Sequence, residues 1–182
     1  MNGSLADMVS LSLVVLTLLV FLGALLHKMF DFVEFQGYVA DYRLLPEFLV
    51  KPAALFLLVM EAGVVLLILW APTRPWALVL AVSLLALYAL AITVNLRRGR
   101  THVECGCGGA PQWLSGALVW RNLILMVLAL IPLWHLPVGL KASEIATALA
   151  AGIFLWFMVR FFEQINANWQ QLALTGRRRK HL

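Results

Sequence analysis

Five long apolar runs, each with few charges or none, dictate what this 182-residue chain can fold into. A helix rises about 1.5 Å per residue, so about 20 apolar residues cross the hydrocarbon core of a bilayer. Met8–Leu26 and Pro75–Leu96 carry no charge at all. Pro52–Pro72 is interrupted by Glu61 alone, Asn122–Leu140 holds Pro132 and Pro137 near its far end, and Ser143–Phe162 has Glu144 and Arg160 close to its ends. None of the runs alternates, and all exceed the length of a barrel strand. The expectation is an all-α integral membrane protein: a bundle of about five transmembrane helices over 1–162, with a basic cytoplasmic tail at 163–182. The first run lacks a basic leader and a small-residue cleavage site, so it reads as a retained span. With 63% hydrophobic and 13% charged residues, the chain lies far from the roughly 45–50% and about 25% of soluble domains. That excludes a soluble globule, a disordered chain and a disulfide-rich secreted scaffold.

Five spans put the termini on opposite faces. Twelve of the fourteen basic residues then share one face: Lys28, Arg43, Lys51, Arg97, Arg98, Arg100, Arg121, Arg160, Arg177, Arg178, Arg179 and Lys180. Arg74 and Lys141 lie on the other. Basic loops stay in the cytoplasm, so the N-terminus is expected outside and the C-terminus inside. The net charge of +5 is accounted for by anchoring to anionic lipid headgroups and calls for no nucleic acid. Trp70, Trp76, Trp134 and Trp169 near span ends fit an aromatic belt.

The densest polar cluster lies between the third and fourth runs: Asn95, Arg97, Arg98, Arg100, His102, Glu104, Cys105 and Cys107, with Gly106, Gly108 and Gly109. Cys105 and Cys107 are the chain's two cysteines. With a glycine between them they can close a small strained disulfide, a type that exchanges readily. Neighbouring arginines and a His102 cation favour the attacking thiolate, whereas Glu104 opposes it. Three readings of the pair stand open: thiol–disulfide exchange, metal binding with His102 and Glu104, and two small residues in a glycine turn. The metal reading lacks the second ligand pair that a closed four-ligand zinc site uses.

Glu61 falls near the middle of its span, where a charge costs about 2.5–3.5 kcal/mol on insertion scales. It must face the bundle with a partner or stay protonated. Arg121, Ser83 and Tyr88 are the candidate partners, and a proton relay or a quinone contact is the functional alternative. Arg121 and Asn122 open the fourth span. Arg121 either snorkels to the interface or reaches Glu61 or the cysteine loop. His135 reads as an interfacial or packing residue, Gly63 as a close-packing position, and the mixed segment 29–49 as a short helix or turn along the interface.

Taken in order, these features resemble the methylamine-utilisation MauE family, related to the wider DoxX-like membrane proteins. The resemblance rests on Phe35, Tyr42-Arg43-Leu44-Leu45-Pro46, Glu61 with Gly63, Asn95-Leu96-Arg97-Arg98-Gly99-Arg100, Cys105-Gly106-Cys107 with Gly109, and Arg121-Asn122. It runs from about residue 5 to 160. It implies an accessory role in the bacterial inner membrane, in processing, transport or maturation of the methylamine dehydrogenase small subunit, which carries many disulfides. The implied companion is a thioredoxin-like protein of the MauD type. Cys105 and Cys107 become a proposed redox pair, with Glu61, Arg121, Asn122 and His102 as its supporting polar residues, and the mechanism expected of it is a relay of disulfide equivalents between that companion and a membrane quinone. A non-catalytic assembly or export scaffold for the same pathway is the alternative. Charge bias sets the cysteine loop inside whereas the client matures outside. A loop folded back into the bundle through 110–120, a reversed orientation or another use of the pair would each resolve the conflict.

Overall fold

The structure is a computed structural model that describes residues 5–106, 112–137 and 139–178. Six α-helices form among the described residues: α1 Leu5–Phe30, α2 Phe32–Asp41, α3 Glu47–Leu69, α4 Arg74–Arg97, α5 Gly116–Trp134 and α6 Ala142–Arg178. All except α2 contain a stretch long and apolar enough to span a membrane, so the chain is a multi-pass membrane protein with five such helices. No strand forms among the described residues, apart from one isolated bridge.

Local chemistry sets the breaks. Pro46 adopts an extended backbone (φ −64°, ψ 154°) and α3 starts at the next residue. At the far end of α3, Thr73 Oγ1 donates to the Leu67 and Trp70 carbonyls at 2.6 and 2.9 Å, and Arg74 Nε donates to the Ile68 carbonyl at 3.2 Å. These bonds satisfy carbonyls left open where a helix stops, so the connection to α4 is a tight 3₁₀ turn, Ala71–Thr73. The segment expected as a short helix or turn is α2, capped by the Asp31 carboxylate accepting from the Glu34 amide at 3.3 Å.

α1 is the central helix: 61% of its most apolar window is buried, against 11% for α6. Leu13, Leu16, Phe21 and Leu25 of α1 meet Val64 and Ile68 of α3, Leu78 and Leu85 of α4, and Leu125 of α5. Lipid tails are as apolar as these side chains, so close van der Waals fit rather than escape from water holds the helices together. Small residues serve that fit: Ala54, Ala77, Ala81, Ala129 and Ala148 are fully or almost fully buried.

At 37 residues, α6 is about 55 Å long and outruns the bilayer core. It continues through residue 162 without a break, and Glu163 and Ala167 just beyond are buried against the bundle. Following the chain, the C-terminal ends of α1, α4 and α6, all of α2 and the N-terminal ends of α3 and α5 share one end of the bundle. The cysteine segment lies at that same end.

The α1–α6 contact depends on Gly152. A Cβ there would lie 2.7 Å from Val15 Cβ and 2.8 Å from the Ser12 carbonyl oxygen. Gly152→Val is expected to lower the thermal unfolding midpoint in detergent, with an overpacking cost of about 1–3 kcal/mol. Gly23→Ala, where nothing lies within 4 Å, should leave the midpoint unchanged or raise it.

Candidate functional site: a buried ion pair beside the cysteine segment

Helical spacing carries Phe21, Ala24, Leu25 and Lys28 on one buried face of α1. Lys28 is 1% exposed. Its Nζ makes an ion pair with Glu61 Oε1 on α3 and donates at 3.3 Å to Tyr88 Oη on α4. Tyr88 Oη in turn donates to the same Glu61 oxygen at 2.6 Å. The ammonium also lies 4.8 Å from the Phe35 ring centre and 4.9 Å from that of Tyr88, within cation–π range. Glu61 Oε2 is buried without a hydrogen-bond partner. Tyr88, one of the partners considered from sequence, is therefore correct, but the base is Lys28 rather than Arg121.

A cavity of about 280 Å³ opens beside this cluster, walled by Lys28, Tyr88, Phe56, Leu87, Tyr42 and Cys105 among others. Cys105 is disulfide-bonded; Cys107 lies outside the described residues. Two short stretches hold Cys105 in place. The Cys105 amide donates to the Gln112 carbonyl at 2.9 Å, and the Leu114 amide to the Val103 carbonyl at 3.0 Å. Tyr42 Oη donates to the Cys105 carbonyl at 3.1 Å. Gly106 has φ +61°, and a Cβ there would sit 2.8 Å from Tyr38 Cδ2. The glycine between the cysteines is thus needed both for its left-handed backbone and for its approach to the Tyr38 ring. Burial and hydrogen bonding to Glu34 hold the Tyr38 phenol well above its usual range. Burial does the same for Tyr42, against the opposing Arg121 charge. Both phenols remain protonated at neutral pH and act as hydrogen-bond donors.

The other expected supporting residues lie elsewhere. Arg121 Nη1 bonds Glu163 Oε1 of α6 at 2.6 Å, and its Nη2 donates to Asn122 Oδ1 at 3.1 Å. Arg160 reaches the second Glu163 oxygen at 2.9 Å. Arg121 therefore neither snorkels nor meets Glu61, because Glu163, the residue immediately after the fifth apolar run, supplies the countercharge. Next to this cluster, Gln170 accepts from the Trp113 amide at 2.9 Å and donates to its carbonyl at 3.2 Å, and Asn166 donates to Gln112 Oε1 at 2.8 Å. These bonds fasten the chain after the cysteines to α6. His102 packs edge-on against Trp113, with ring centres 4.7 Å apart. Among the described residues no three His, Cys, Asp or Glu side chains converge on one point. His135 Nε2 lies 3.1 Å from Asp7 Oδ1, and in the described part of 110–120 Gln112, Leu114 and Leu118 are buried, with α5 starting at Gly116.

Lys28, Glu163, Gln112, Asn166 and Gln170 are the polar residues that sequence reasoning missed. For Lys28 the signal was there: it continues the 21, 24, 25 stripe of α1 by one more turn. Removing one partner of a buried pair strands the other, at roughly 3–5 kcal/mol. Lys28→Met should therefore unfold well below the unsubstituted protein in detergent. Lys28→Met combined with Glu61→Gln, which removes both charges, should recover most of the loss.

Comparison with known proteins places these features in a family. The family model described as methylamine utilisation protein MauE matches residues 6–135. The methylamine utilization protein MauE of Paracoccus denitrificans is 41% identical over 138 residues, 74% of this chain and 74% of that protein. Its namesake in Methylophilus methylotrophus is 38% identical over 142 residues, 75% of each chain, and that in Methylorubrum extorquens 38% over 125 residues, 66% of this chain and 67% of its own. No solved structure matches. The five spanning helices and the match over most of their length lead to one conclusion: this chain belongs to the MauE family of membrane proteins, implicated in methylamine utilisation.

Proposed function

We propose that the chain is a thiol–disulfide factor of the bacterial inner membrane that serves maturation of the methylamine dehydrogenase small subunit. The observation that carries this reading is a disulfide-bonded Cys105 on the wall of a cavity that also holds Lys28 and Tyr88. A disulfide is the oxidising form of the pair. The thiolate of a thioredoxin-like partner of the MauD type attacks one sulfur, and a mixed disulfide forms. The partner's second thiol resolves it, leaving the partner oxidised and Cys105 and Cys107 as thiols. Two electrons thereby pass from partner to pair, and a membrane quinone takes them up as the pair closes again. The partner's new disulfide is passed on to the client. Glu61 acts here through Lys28, whereas Arg121, Asn122 and His102 support the segment that carries the cysteines.

A second reading, a non-catalytic assembly or export scaffold, is favoured by the charge distribution. Lys28 and Arg121 are buried in ion pairs, so two of the twelve basic residues that the order of the apolar runs assigns to the cysteine end do not count as free loop charge. The remaining ten still outnumber Arg74 and Lys141 and argue for a cytoplasmic cysteine end and an outside N-terminus. The relay reading requires that end to face the compartment where the client folds.

Two results decide between them. In cells making the full pathway, Cys105→Ser with Cys107→Ser should abolish disulfide formation in the small subunit; unchanged maturation would leave the scaffold. In intact cells treated with a reductant, a membrane-impermeant thiol reagent should label Cys105 or Cys107. Labelling only after the membrane is permeabilised would place the pair inside and defeat the relay.

A further inference from the structure

Resting on the thiol-relay reading, we infer that the cavity between α2, α3 and α4 seats the ring of a lipid-soluble quinone, with Lys28 donating a hydrogen bond to one quinone oxygen.

The walls decide the ligand class. Phe56, Leu57, Leu87 and Ala91 make most of the surface apolar, which disfavours sugars, nucleotides and free anions. Phe56 and Leu87, on spanning helices, are 60% and 46% exposed, so the cavity opens sideways toward lipid. At about 280 Å³ it is near the small end of ligand sites, which run from about 300 to 1,000 Å³. That suits a ring with its isoprenoid tail left in the membrane. A plain acyl chain would fit the walls but leave the polar groups unexplained. A lysine ammonium has three N–H donors; Glu61 and Tyr88 accept two of them. Among the described residues the remaining N–H has no hydrogen-bond acceptor, only the faces of the Phe35 and Tyr88 rings; Lys28 lines the cavity, and a quinone oxygen there is a stronger acceptor than a ring face. Reduction builds negative charge on that oxygen, and a fixed ammonium in an apolar surrounding stabilises it. Cys105 on the same wall brings the reductant. In the step, two S–H bonds break and one S–S bond forms. The two electrons and two protons released convert the quinone to its hydroquinone, with two new O–H bonds. Lys28 is the group that touches the ligand; Glu61 and Tyr88 position it.

The test is equilibrium binding of ubiquinone-1 to the full chain purified in detergent. The unsubstituted protein and the Gly23→Ala variant, changed away from the cavity, should both retain binding. Ala91→Phe, which fills the cavity and leaves the ion pair untouched, should weaken it at least tenfold. Lys28→Met/Glu61→Gln, which strands no charge, should do the same. Equal binding by all four proteins, or none by the unsubstituted one, overturns the proposal. Competition by a ring-less prenyl alcohol as strong as that by unlabelled ubiquinone-1 also overturns it, in favour of an ordinary lipid. Because binding is read without thiol chemistry, it separates the two proposals. Binding that persists beside cysteine-independent maturation upholds the seat while the relay falls. Absent binding beside cysteine-dependent maturation overturns the seat alone.

Discussion

A positive and a negative side chain buried together inside a membrane bundle constrain this fold more than any other contact. Lys28 and Glu61 are 1% and 0% exposed, and neither can be left alone in a medium that does not solvate charge. Each is therefore obliged to find the other, which fixes the register of α1 against α3, and Tyr88 extends the constraint to α4. Removing two charges from water offsets most of their attraction, so such a pair adds little net stability. Its contribution is to arrangement: a slip of one helical turn would separate the charges by about 5.4 Å.

The second polar cluster acts on the chain around the cysteines. Arg121 and Arg160 converge on Glu163, and Gln170 and Asn166 hold residues 112 and 113. The stretch that pairs with Cys105 is thus tied to α6, while Tyr42 of the α2–α3 connection holds the Cys105 carbonyl. The long extension of α6 beyond the bilayer has a structural purpose, which is to give the segment after the cysteines a rigid surface to rest on. Fold and candidate site meet here, since the ion pair sets the floor of the cavity and the α6 extension steadies its rim.

Much of this was legible in the residues. The five spans follow from runs of apolar length alone, and a mid-span Glu61 announces that a partner exists. The identity of that partner was only half legible: the stripe through 21, 24 and 25 points to Lys28, but Lys28 lies outside the uncharged run and reads as a boundary residue until α1 is seen to continue to Phe30. Arg121 was misassigned for the same reason. Its partner Glu163 lies 42 residues away, in a stretch whose falling hydropathy reads as tail. Apolar periodicity reports which segments are helices, but pairing between distant charges depends on which ends of the bundle coincide. The cavity itself leaves no linear signature, as its walls come from α2, α3, α4 and the cysteine segment.

The account comes down to one coupling, between the sulfur chemistry at Cys105 and a ligand held by Lys28. Mixing the fully reduced protein with ubiquinone-1 under strictly anaerobic conditions, while counting free thiols and hydroquinone together, tests it most directly. The account predicts one disulfide closed for each quinone reduced. Thiols that stay reduced in the presence of excess quinone would contradict it.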